Sequence, residues 1–212
     1  MNLPDAEKIT QLIEAADDDG LIFGTFLRMS ICTGARRGEI CALQWKHIDF
    51  ERSRVAVQAS IALGLDGYYR KAPKNGRGRT IARPLAMIEH LALFRSYRKM
   101  LVEQLGGKFD DECFVFDSKP SGRRSGHPGT MSEKFATAKR VAGMKELRLH
   151  DLRHHAATIL LNNRVSPKVV AERLGHTRVS TTLDIYAQFV DVADDEAAAI
   201  MGTFITPRVA IE

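Results

Sequence analysis

No apolar run in this 212-residue chain approaches the roughly 18 residues a helix needs to cross a bilayer, so no membrane span is expected. The opening MNLPDAEKIT has neither a basic segment nor an apolar one, so a secretory signal is not expected either. Cysteine is sparse and odd in number. Cys32, Cys41 and Cys113 are scattered, which argues against a disulfide framework or a cysteine zinc site and for a reducing, cytoplasmic home. No internal repeat and no low-complexity tract is visible, and no linker divides the chain. Acid is scarce in two stretches. Residues 68–83 hold six bases and no acid, and residues 119–145 hold seven bases and only Glu133.

Hydrophobic residues make up 44% and charged residues 27%, the proportions of a soluble globular protein long enough to bury a core. The net charge of +5 understates the asymmetry. Beyond residue 180 lie six of the 26 acids and one of the 31 bases, leaving 30 bases against 20 acids in residues 1–180. Basic patches of this kind suit a polyanion, with counterion release from nucleic acid as the driving force. Solvated loops that happen to be basic are the competing reading.

Apolar spacing at Ile9, Leu12, Ile13 and Ala16 predicts a first helix ending near Gly20. Residues 21–30 predict a second, stopped by Thr33-Gly34, and residues 36–43 a short third. Residues 54–59 alternate like a strand, with residues 79–84 as its return across a long Gly/Pro-marked turn. A helix follows over residues 84–104, then CFVF (residues 113–116) as a short buried strand, then a Pro/Gly/Ser loop over 119–129. The remainder reads as helices broken at Gly143, Asn162/Asn163, Gly175 and Gly202. The expected class is α+β, mainly helical, with a small antiparallel sheet.

Four motifs carry chemistry. In HDLRHHAATILLNN (residues 150–163), His150 and Arg153 share a helix face, pairing a proton-transfer group with a planar fork suited to phosphate. His150 and His154 also have the spacing of a zinc pair. However, Asp151 stands where the metalloprotease pattern has Glu, and no third ligand is evident, so no metal or other cofactor is expected. In TGARRGEICALQW (33–45), a Thr-Gly turn leads to Arg36 at a helix start, where it could meet an anion. Glu39, three residues on, could hold a guanidinium in place; an exposed Arg-Arg pair beside a core helix is the plainer reading. The basic hairpin RKAPKNGRGRTIARPL (70–85) places Lys74 near its tip, as a candidate acid or as part of a solvated turn. Finally, VSPKVVAERLGHTRVSTTLDIY (165–186) reads as a helix-turn-helix whose second helix starts near Arg178. That reading leaves Tyr186, one of only four tyrosines, without a role.

Taken in order, Arg36 in TGARRGE, Lys74, His150 and Arg153 in HxxR, His176 in LGH and Tyr186 ten residues later resemble the tyrosine recombinases, or phage integrases, over roughly residues 5–190. The resemblance implies a single catalytic domain spanning residues 1–212, excised from or shorter than a larger integrase, with the family's N-terminal clamp absent. It implies that Tyr186 attacks a scissile phosphate to give a 3′-phosphotyrosyl link. Arg36 and Arg153 then bracket the non-bridging oxygens and His176 donates to the phosphate. His150 serves as base, Lys74 as acid for the departing 5′-hydroxyl, and Glu39 and Asp151 as supports. Lys71, Arg77, Arg79 and Arg178 become candidate DNA contacts, with Lys71, Arg77 and Arg79 competing with Lys74 for the hairpin lysine's place. The implied partners are double-stranded DNA attachment sites and further copies of the chain, a monomer in solution assembling to a tetramer on DNA. The acidic, apolar tail (190–212) either folds back or is exchanged between protomers. A bacterial or phage mobile-element origin and association with the nucleoid follow from the resemblance alone. A non-catalytic helix-turn-helix module and a type IB-like topoisomerase are the rival readings.

Overall fold

The computed structural model describes residues 4–73, 78–117, 119, 121–176 and 180. Helix α1 (Ala6–Asp18) starts where the Asp5 carboxylate accepts from the Lys8 N–H at 2.9 Å, and it buries Leu12 and Ala16. Helix α2 (Leu21–Thr33) is apolar nearly all round, as a helix enclosed on several sides must be. It packs against α1, α4 (Leu85–Gln104) and α6 (Asp151–Asn162).

Gly34 ends α2 with φ 61°, and a Cβ there would lie 2.4 Å from a Leu174 methyl. Both the left-handed turn and the close approach of α7 (Pro167–Leu174) therefore require glycine. The short helix α3 (Arg37–Cys41) follows at once.

Strands β1 (Ile48–Asp49), β2 (Arg54–Val57) and β5 (Arg79–Ala82) form an antiparallel sheet, with buried Val55 opposite buried Ile81. Between β2 and β5 the sequence predicts only a turn region. The structure instead places a second hairpin there, β3 (Ser60–Gly64) with β4 (Gly67–Lys71). Four of the five β4 residues are exposed, so β4 carries no alternation of buried and exposed side chains for a sequence reading to detect.

The expected CFVF strand is also corrected. Cys113, Val115 and Phe116 are fully buried, but the segment makes one isolated bridge, Phe114 with Gln44. The Val115 N–H to the Leu43 carbonyl and the Trp45 N–H to the Cys113 carbonyl make that bridge, while the Cys113 and Phe114 N–H groups go to the Asp110 and Gly122 carbonyls of loops. Phe116 packs against Phe26 and Phe94, and Trp45 against Phe94 and Phe109, forming the aromatic centre of the core. Ala157, Leu161, Val170 and Leu174 make a smaller cluster joining α6 to α7. Helix α5 (Pro128–Val141) completes the described fold, and no described helix is long and apolar enough to cross a membrane.

Candidate active site

Three chain reversals bring distant residues together. The Gly34 turn presents Arg36, the start of α6 presents His150 and Arg153, and the left-handed Gly175 at the end of α7 presents His176. Arg153 is 4% exposed and donates from Nη1 to the Gly34 carbonyl at 2.7 Å, while its buried Nη2 has no partner among the described residues. Arg36, two residues beyond that carbonyl, keeps 47% of its side chain exposed. Both guanidiniums line one cleft of about 430 Å³, together with His150.

Glu39 is the brace. Its carboxylate accepts from the Arg36 N–H at 2.8 Å and from Arg36 Nη1 at 3.1 Å. It also takes both Arg79 η nitrogens, at 3.0 and 2.7 Å. Burial pushes the Glu39 carboxyl up, but Arg79's hydrogen bonds and charge, with Arg36's, outweigh burial and hold it below the usual carboxylate range. Arg79 donates from Nε to the Arg173 carbonyl at 2.9 Å, near the end of α7. A Cβ on Gly175, whose φ is 70°, would lie 2.8 Å from Arg79 Nη1, so glycine is needed there for conformation and for space. The Gly175 carbonyl in turn accepts long contacts of 3.4 Å from Arg36. Arg79, a candidate DNA contact in the sequence, turns inward here: its side chain is 16% exposed and its guanidinium is committed to Glu39.

The site is short of negative charge. Burial, then the charge of Arg36, pulls the Arg153 guanidinium down to about 9. Burial, then the charges of Arg153, Arg36, His154 and Arg79, pushes His176 down to about 4. His150 is also lowered, by burial, then by His154, Arg153 and Arg36. A guanidinium keeps its proton at neutral pH, so the cationic neighbours in these shifts mark a cleft suited to an anion. The shifts also place Arg36 and Arg153 within electrostatic reach of His150 and of His176.

Asp151 acts on His150 through its charge, which partly offsets the lowering. It is buried and accepts from the Arg148 N–H and guanidinium, bracing the turn into α6. His154 stacks edge-on against His150 with ring centroids 5.1 Å apart. Among the described residues no group of three or more His, Cys, Asp or Glu is arranged to hold a metal. Exposed Lys71 pairs in register with Ser60, which lines the cleft. Arg37 and Ser132, which also line it, were not singled out as site residues by the sequence reading; the Arg-Arg pair was the only signal. Tyr186, Lys74, Arg77, Arg178 and the tail lie outside the described residues.

A chain of similar sequence is the ICEBs1 integrase of Bacillus subtilis (strain 168), 28% identical over 194 residues, which are 91% of this chain and 52% of that protein. The chain spans about half the length of the curated relatives it matches. Similar folds include XerA recombinase, with a TM-score of 0.66, 24% identity, and coverage of 98% of this chain and 67% of that one. A Tn1549 transposon integrase solved in complex with transposon right end DNA has a TM-score of 0.71 and 23% identity, over 94% of this chain and 66% of that one. The family model described as the phage integrase family matches residues 4–191, nearly the whole chain, and the chain belongs to the phage integrase, or tyrosine recombinase, family.

Proposed function

We propose that this chain is the catalytic portion of a site-specific recombinase that cuts and rejoins double-stranded DNA through a 3′-phosphotyrosyl intermediate. One observation carries the reading: two guanidiniums from separate parts of the chain, Arg36 and Arg153, share a cleft with His150 and act electrostatically on His176. The carboxylate bracing Arg36, Glu39, is already engaged by Arg79.

A phosphodiester in this cleft meets Arg153, held by the Gly34 carbonyl with an N–H still to donate, and Arg36, steered by Glu39. Charge grows on the non-bridging oxygens as a nucleophile attacks, so donors already in position act mainly on the transition state. Each charge-assisted bond contributes about 1.5–3 kcal/mol, and about 1.4 kcal/mol is tenfold in rate.

Tyr186 is the nucleophile in this reading. A phenol with an ordinary pKa of about 10 is almost wholly protonated at neutral pH, so a proton acceptor is needed. His150, held neutral by burial and its cationic neighbours, is suited to that role. His176, likewise neutral, donates to the phosphate, and Lys74 protonates the leaving 5′-oxygen. The tyrosyl bond retains the phosphodiester's energy, so rejoining needs no nucleotide. Oligomerisation on DNA, with the tail 190–212 exchanged between protomers, belongs to the same proposal. The helix-turn-helix reading gives the paired guanidiniums at Gly34 and α6 no task.

The test uses a nicked duplex, selected from a random library by binding to the protein, and a denaturing gel. Wild type should leave a covalent protein–DNA adduct and Tyr186→Phe none. Absence of the adduct from wild type, or its persistence in the variant, refutes the assignment.

A further inference from the structure

We propose that Arg37, Ser132 and Ser60 form a second phosphate seat, which takes the phosphodiester adjoining the one held by Arg36 and Arg153. This rests on the cleft being a DNA-cleavage site. Arg37 lines the same cleft, and its Nη1 donates to the Ser132 hydroxyl on α5. Among the described residues, Arg28, Arg36, Arg79, Arg95, Arg123 and Arg148 each sit on a carboxylate. Arg37 instead sits on a neutral hydroxyl, which orients the guanidinium without cancelling its charge. It is exposed, and a planar fork of five N–H donors matches a phosphate.

The seat is separate from the first. The Arg36 guanidinium is bonded to Glu39 and to the Gly175 carbonyl, whereas the Arg37 guanidinium is bonded to Ser132 on α5. Gly38 also lines the cleft. A Cβ there would lie 2.3 Å from the Ile61 carbonyl and 2.7 Å from the Ser60 hydroxyl, so α3 lies flush on β3 and Ser60 shares the cleft with Arg37. Ser60 and Ser132 add hydroxyl donors from two further elements.

The experiment measures binding of the selected duplex across salt concentrations, with and without a neutral methylphosphonate at the phosphate next to the scissile one. Arg37→Gln should weaken binding of the unmodified duplex about tenfold. It should also reduce the slope of log affinity on log salt by about 0.9. The methylphosphonate should weaken wild type but add nothing to Arg37→Gln. Ser132→Ala, which leaves the charge in place, should show a smaller loss and an unchanged salt slope. Equal salt slopes for wild type and Arg37→Gln, or an equal methylphosphonate penalty in both, overturn the seat. Lack of a covalent adduct from wild type would instead sink the cleavage reading, which separates the two failures.

Discussion

Replacing Glu39 with Gln tests the brace on which the cleft depends. The carboxylate takes four donated bonds, from the Arg36 N–H, Arg36 Nη1 and both Arg79 η nitrogens, and the residue is 8% exposed. A glutamine offers one oxygen and turns an NH2 toward donors, leaving at least two of those bonds unmade and two guanidiniums uncompensated. Removing one partner of a buried charged pair costs about 3–5 kcal/mol, most of it from stranding the survivor. Arg36 is half exposed and recovers part of its loss in water, so Arg79, at 16% side-chain exposure, dominates. The expected loss is about 3–4 kcal/mol, read from urea midpoints at constant slope. Arg79→Met should cost a similar amount, and the double variant Glu39→Gln/Arg79→Met far less than the two added together. Adduct formation by Glu39→Gln should fall about 10²–10³-fold, because Arg36 loses its orientation and not its charge. A Glu39→Gln protein within about 0.5 kcal/mol of wild type, or losses that simply add, would refute the brace.

Three further outcomes follow from the same geometry. Arg153→Lys keeps a charge but cannot both bond the Gly34 carbonyl and fork onto a phosphate, so single-turnover adduct formation should drop at least about 10²-fold; an unchanged rate contradicts the bidentate role. Gly175→Ala should destabilise by about 1–2 kcal/mol from its left-handed backbone alone, and more because the new Cβ meets the Arg79 guanidinium; a melt matching wild type would contradict this. His176 sits at about 4 in the folded chain against an ordinary 6.5. As pH falls below about 6.5 the unfolded chain takes up the proton first, so stability drops through the window down to about 4. Thermal melts of His176→Gln should lose less over that window than wild type; equal losses would show that His176 does not titrate as described.

The sequence made the site more legible than its surroundings, for a physical reason. Gly34 and Gly175 each satisfy a backbone need and a steric one, so the turns that aim Arg36 and His176 are marked by residues hard to replace. The HxxR spacing is likewise set by one helical turn, which any sequence reading can see. Charge is the opposite case. Residues 68–83 read as one basic surface, yet Arg79 is folded inward onto Glu39. Arg83 is 6% exposed, none of its guanidinium nitrogens has a partner among the described residues, and burial pulls it down to about 10. Composition counts charges but cannot say which ones face water, because an arginine's long stem lets one position point either way. The β3–β4 hairpin was hidden for a related reason: strand pairing needs only backbone, and an exposed β4 leaves no alternation in its side chains. What a sequence shows well is therefore constraint at single positions. For Arg79 the inward choice is made by Glu39, and that pairing spans 40 residues along the chain.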